Sequence, residues 1–254
     1  MNNVKSLFLL LIIVLLGACA SNTPKGSSGA ETLFLQAQRN VENGQYLLAI
    51  DRLDELKASF PLSAYVPRAE ILKGEALFKQ ENYQDAIDVF DNFLAFHQGH
   101  SKRDYVQWMI GESYFLSMPE TIDRDLSMAY EAINSFTALA KDFPRSQYVD
   151  KVPERIKSCN EFILKREIYI ADFYFKTEKF LSASSRYKDF LSSSAPAQMK
   201  REVYPRYVES LLRNKNYEDC LLALETNSVV SFMAKEIENS FRKKCEKGIQ
   251  EKDL

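Results

Sequence analysis

An all-α fold of stacked helical hairpins is predicted by three observations. Gly and Pro number only 8 each in 254 residues, so turns are few and helices long. From Glu31 onward, apolar-periodic helical stretches alternate with short breaks. Those stretches also repeat one spacing: a small residue, an aromatic nine residues on, an Ala three further, and a Leu or aromatic four beyond. With 46% apolar and 27% charged residues, the chain is globular and long enough to bury a real core. An all-β fold is disfavoured.

The first twenty residues read as an address. Lys5 precedes an unbroken apolar run from Leu7 to Leu16, and small residues then lead to a cysteine, Leu16-Gly17-Ala18-Cys19. A basic start, a short apolar run and small residues before a cut make a secretory signal over residues 1–18. The run is too short to span a bilayer, which takes about 20 apolar residues. Its ending resembles the bacterial lipobox, in which the cysteine is acylated and becomes the first residue of the mature chain. That resemblance makes Cys19 the lipid anchor. Ala20 after the cysteine, where an Asp would favour inner-membrane retention, points to the outer membrane. Residues 19–30 then form a flexible tether, with almost nothing to bury.

The repeating body is expected over residues 31–254. Ala37, Tyr46, Ala49 and Leu53 make one unit, and Gly74, Tyr83, Ala86 and Phe90 another. Ala171, Phe180, Ala183 and Tyr187 repeat the pattern, as do Val208, Tyr217, Cys220 and Leu224. A further unit lies between, with Gly111 and Tyr114 on its first helix and Ala132 and Phe136 on its second. Its turn carries an insertion around Met118–Asp125, expected in solvent. Tyr148–Lys176 reads as one long helix, with Pro153 tolerated near its start. A last helix, Val229 to about Lys247, would cover the open end of the stack through Phe232, Ile237 and Phe241, with a frayed tail beyond. The small residues sit where paired helices cross closely, and the aromatic fills the wedge toward the next pair. One hairpin alone cannot bury its apolar stripe; stacking does.

This spacing resembles the tetratricopeptide repeat (TPR). It implies a TPR-type superhelix of about five repeats plus a C-terminal capping helix, with a concave groove. The combination of lipobox, tether and repeats resembles the BamD family, the TPR lipoproteins of the β-barrel assembly machinery. Residues that carry the likeness are Phe60-Pro61-Leu62-Ser63-Ala64-Tyr65, Phe90 to His100 (with Gln98 at a usual Pro), Asp104-Tyr105-Val106, Asp123-Arg124-Asp125, Phe143 to Tyr148 and Glu167 to Tyr174.

The resemblance implies a scaffold without chemistry on the periplasmic face of the outer membrane. Its partners would be a BamA-like barrel component, other assembly lipoproteins and unfolded outer membrane proteins. Arg186 falls where that family contacts the barrel component, although Ser185 replaces the usual Asn; the alternative is a solvated helix face. An Arg there suits a bidentate bond to a partner carboxylate. Tyr65, Phe78 and Trp108 are candidates for a groove that receives extended apolar segments, or else for core. Asp123–Asp125 would stabilise the insertion by Arg–Asp pairing or bind a partner.

Little else looks chemical. Lys+Arg 33 against Asp+Glu 35, or 32 against 35 without residues 1–18, leaves no basic excess for nucleic acid. Two histidines, His97 and His100, fall short of a zinc site, so no metal and no cofactor are expected. No Gly-rich phosphate loop or G-x-S-x-G appears, and no enzyme is expected. Beyond Cys19 there are Cys159, Cys220 and Cys245. Cys220, in the small-residue position, is expected as a buried thiol, with pairing to Cys245 left open. The rival reading is another periplasmic TPR lipoprotein scaffold that organises cell-wall enzymes or a secretion pore.

Overall fold

The computed structural model describes residues 27–225 and 233–252. Among them are eleven α-helices: α1 (Ser27–Glu42), α2 (Tyr46–Ser59), α3 (Val66–Lys79), α4 (Tyr83–Phe96), α5 (Arg103–Leu116), α6 (Ser127–Asp142), α7 (Val152–Lys176), α8 (Phe180–Ser192), α9 (Ala197–Arg213), α10 (Tyr217–Glu225) and α11 (Lys235–Lys252). A single 3-10 turn, Val149–Lys151, leads into α7. No strand occurs among the described residues. The order is five helical hairpins of TPR type and a last helix. The chain forms two compact units divided between Ser113 and Tyr114, within α5.

In the first unit, α1 packs on α2 and α3, and α3 on α2 and α4. The repeat spacing explains the contact. Ala37, Ala49 and Ala86 are fully buried, and Leu53 and Phe90 lie against them in the interior. Gly74 shows why the small position is small. A Cβ built there would stand 2.3 Å from Phe90 Cε1 and 2.6 Å from its Cζ, far inside van der Waals contact. In the second unit α7 packs on α6 and α8, and α9 on α8 and α10. Ala171, Ala183, Val208 and Cys220 take the small positions, all fully buried.

One turn closes four of the hairpins. The residue two before each repeat aromatic has a left-handed backbone: Gly44 (φ 73°), Glu81 (61°), Glu178 (59°) and Lys215 (58°). The next amide then reaches back five residues. Gln45 N–H donates to the Asn40 carbonyl (2.8 Å), Asn82 to Leu77 (3.0 Å), Lys179 to Tyr174 (2.9 Å) and Asn216 to Leu211 (2.9 Å). This is the Schellman ending, which satisfies the last carbonyls of the first helix while reversing the chain. Glycine supplies the conformation freely only at Gly44.

Three expectations need correction. The folded body begins at Ser27, ahead of Glu31, and Ala30 is fully buried in the first core. Ala30, Leu33, Phe34, Ala37 and Val41 form one stripe at three- and four-residue spacing, so the helix recruits the end of a Ser/Gly-rich stretch. The signal segment, Cys19 and Ala20–Gly26 lie outside the described residues.

The last helix is Lys235–Lys252 rather than Val229–Lys247; Val229 and Phe232 fall outside the described residues. Ile237 is exposed, whereas Phe241 packs on the core of α9 and α10. The expected frayed tail is helical and held. Gly248 lies under the Tyr217 ring, and Lys252 Nζ is 2.8 Å from Glu218 Oε1. The third correction is the cysteine pairing: Cys220 is not a thiol but is disulfide-bonded to Cys245, joining α10 to α11. Cys159 is buried outside any disulfide.

Candidate functional site

The aromatics expected in a groove part company. Trp108 is interior, 7% exposed, because α5 is enclosed on nearly every side: Val106, Met109, Ile110, Gly111, Glu112 and Ser113 are buried with it. It is a core residue, so the groove expectation fails there. Phe78 is half-buried, its ring edge-on to Tyr83 at 5.4 Å between centroids. Tyr65 is half-buried, 5.5 Å from the Phe34 ring. The Arg68 guanidinium lies over both, 4.5 Å from Phe34 and 5.4 Å from Tyr65. Loss of hydration, then the neighbouring Glu31, raises the Tyr65 hydroxyl above its ordinary pKa, so it stays a neutral donor.

Two clefts open in the first unit. One, about 510 Å³, is lined by Ala30 and by the turn Phe60, Pro61, Leu62, Ser63, Ala64 and Tyr65. Leu62 at its rim is fully exposed. The other, about 360 Å³, lies over α3 between α2 and α4, with Leu53, Ala69, Val89 and Phe96 on its walls. Its charged rim is self-paired. Lys73 Nζ is 2.6 Å from Asp54 Oδ1, and Lys57 Nζ is 2.6 Å from Glu70 Oε1. His97 Nε2 is 2.6 Å from the other oxygen of Glu70.

The histidines are thus absorbed by the fold. His97 stands against Glu70, and both imidazoles pack on the Phe93 ring. Burial, then the neighbouring His97 and Lys102, pushes His100 below its ordinary pKa. Among the described residues no group of three or more His, Cys, Asp or Glu is placed to hold a metal.

In the second unit Arg186 is exposed on α8, with Nη1 3.9 Å from Glu167 Oε2 on α7, itself half in solvent. At that distance the guanidinium is only loosely held and its remaining donors face water. One residue on, Tyr187 is fully buried and its hydroxyl donates to Asp172 Oδ1 (2.5 Å). Arg206 clasps both oxygens of Asp172, at 3.0 and 2.9 Å. Burial and then the Asp172 carboxylate push the Tyr187 pKa far up. Sequence reading missed this triad. Its members lie 15 and 34 residues apart on three helices, and the only hint was a Tyr at the repeat's large position beside an Arg.

The insertion is held differently from the expected Arg–Asp pairing. Arg166 of α7 donates to the Ile122 carbonyl (3.1 Å) and to the Arg124 carbonyl. Asp123 and Asp125 are instead capped locally. The Thr121 side chain lowers the pKa of Asp123, and Ser127, whose hydroxyl donates at 2.5 Å, lowers that of Asp125. A third cleft, about 260 Å³, lies among Lys188, Leu191, Tyr204, Tyr207, Asp219 and Leu222.

These features define a class: a stack of helical hairpins of TPR type, with clefts between them and a loosely held cation on one exposed face. The family described as "Outer membrane lipoprotein" (YfiO) matches residues 27–218, and the chain belongs to it. Relatives named "Outer membrane protein assembly factor BamD" bear out the resemblance. That of Rickettsia prowazekii is 23% identical over 206 residues, 80% of this chain and 82% of the relative. That of Pasteurella multocida is 25% identical over 232 residues, 88% of each chain. Among solved structures, the TPR2AB domain of yeast Sti1, in its complex with pHSP90, is 14% identical with a TM-score of 0.47. It covers 87% of this chain and 100% of that one. Among the described residues no helix is long and apolar enough to cross a membrane.

Proposed function

We propose that this chain is a lipid-anchored, non-catalytic scaffold of the outer membrane β-barrel assembly machinery. The family match over residues 27–218, which takes in the first four hairpins and the first helix of the fifth, carries this reading. The Leu16-Gly17-Ala18-Cys19 ending supports it by supplying an anchor to the periplasmic face of the outer membrane. Acyl chains on Cys19 hold because each buried CH₂ contributes about 0.8 kcal/mol and more than one chain is attached. Arg186 is the contact with a BamA-like barrel component, its free donors taking a partner carboxylate in bidentate form. Unfolded outer membrane proteins meet the first unit, where Phe78 and Tyr65 each keep a solvent-reachable edge.

Pull-down of the native protein from detergent-solubilised membranes tests the reading. A BamA-like barrel component is expected among the recovered chains, together with other assembly lipoproteins. Recovery of cell-wall enzymes or a secretion pore without it selects the rival scaffold. Arg186→Ala is expected to weaken recovery of the barrel component with no change in melting, since the side chain is exposed and loosely paired. Cys19→Ser is expected to leave the fold intact and release the protein from membranes.

A further inference from the structure

We infer that the Pro61-Leu62 tip of the first unit is a bilayer contact that sets how the anchored chain stands on the membrane. The inference rests on the anchor assigned to Cys19. Three observations converge on one end of the first hairpin. The first is covalent reach. Between Cys19 and the start of α1 at Ser27 lie seven residues, so the folded unit begins no more than about 28 Å from the lipidated atom.

The second is topology. α1 and α2 are antiparallel partners, so the beginning of α1 and the turn that follows α2 lie side by side; Ala30 and residues 60–65 line one cleft. That end therefore faces the anchor. The opposite end of the hairpin, where α2 starts at Tyr46, is about 20 Å away along a 14-residue helix.

The third is surface chemistry. Leu62 is 100% exposed beside exposed Pro61 and Ala64, an arrangement that is unfavourable in water and favoured in the acyl boundary. Behind it Tyr65 is an amphipathic ring of the type concentrated at membrane interfaces. Arg68, its guanidinium over the Phe34 and Tyr65 rings, brings a cation to headgroup level. One leucine cannot hold a protein on a membrane. On a chain already tethered, with an effective concentration in the millimolar range, it can decide orientation.

The test uses the chain from Cys19 onward, coupled through that thiol to a maleimide phospholipid in vesicles of phosphatidylethanolamine and phosphatidylglycerol. This bypasses acylation. Cys159 is buried and the other two cysteines are disulfide-bonded, so Cys19 is the thiol that reacts. Leu62→Trp and, as control, Leu47→Trp report position; Leu47 is 72% exposed on the first turn of α2, at the far end of the hairpin. The native Trp108 is interior and gives a constant background.

Expected is a blue shift of the Leu62→Trp emission on tethering and its loss when the acyl chains are brominated, with Leu47→Trp unaffected. Absence of quenching at position 62, or equal quenching at both positions, overturns the inference. So does a blue shift produced only by an extended barrel-strand peptide and not by vesicles, which would make the cleft a peptide site. Flotation of the native lipoprotein with membranes is measured separately. If it does not float while the tethered Leu62→Trp chain is still quenched, the anchor reading fails and the contact stands. Both sites are exposed, so the variants are expected to melt as the parent chain does.

Discussion

Gly74 offers the sharpest test of how the hairpins pack. In Gly74→Ala two effects oppose each other. Alanine in a helix interior is favoured over glycine by about 1 kcal/mol, so propensity alone predicts a more stable protein. Packing predicts the reverse. The new methyl would lie 2.3, 2.6 and 2.7 Å from three carbons of the Phe90 ring, where about 3.5–4.0 Å is normal, so the ring must retreat by more than an ångström. Phe90 is fully buried and has no solvent to retreat into. Overpacking of an enclosed ring costs about 3 kcal/mol, at the upper end of the usual range. The net is a loss of about 2 kcal/mol, or roughly 8–16 °C in the melting temperature of a unit this size. Urea unfolding followed by Trp108 emission reads the loss, since Trp108 is the one tryptophan of the chain and is buried. Phe90→Leu should relieve the clash, so the double variant loses less than the two singles combined, by about 1 kcal/mol or more. A Gly74→Ala protein that melts at or above the parent temperature would refute the claim that the helices nest at this position.

Other consequences follow from the same structure. Cys245→Ser opens a loop with a sequence separation of 25, and chain-entropy arguments put the loss at about 3–4 kcal/mol. Calorimetry should show the second unit melting earlier than in the parent chain. Glu81→Gly, Glu178→Gly and Lys215→Gly should each stabilise by about 0.5–1 kcal/mol in urea titrations, because each removes a side chain from a left-handed backbone, less the extra freedom of the unfolded glycine. Burial, then the neighbouring Tyr207 and Glu238, pushes Tyr204 from an ordinary 10.0 up to about 12. Its hydroxyl donates to the Ala223 carbonyl, so the protonated form belongs to the fold. The folded state holds this proton more tightly than the unfolded chain. Its contribution is therefore complete below pH 10 and lost as pH rises through 12. Circular dichroism against pH should place alkaline unfolding of the second unit in that window, and Tyr204→Phe should shift it.

What was legible in the sequence was the periodic part. The small-to-Ala interval of twelve residues recurs in four hairpins because one steric problem, two helices crossing without room for a large side chain, recurs in each. The nine-residue excess in the third hairpin located the insertion in the same way. Legibility failed where partners are far apart along the chain. Nothing near Arg166 in sequence announces that it donates to carbonyls more than forty residues away. Nor does the single tryptophan reveal whether its helix is enclosed; that depends on what packs against the other faces of α5.

The amino-acid sequence by itself determined the class of element, the number of hairpins and the positions that must stay small, since these follow from local propensity and from sterics repeated at fixed spacing. Tertiary structure alone decided that Cys220 finds Cys245, that Trp108 is interior, and that Ala30 belongs to the core. It also decided that Leu62 is left bare at the end where the chain enters the fold. Each of these is a question of which surfaces meet, and burial is a property of the packed surface, which no single segment carries in advance.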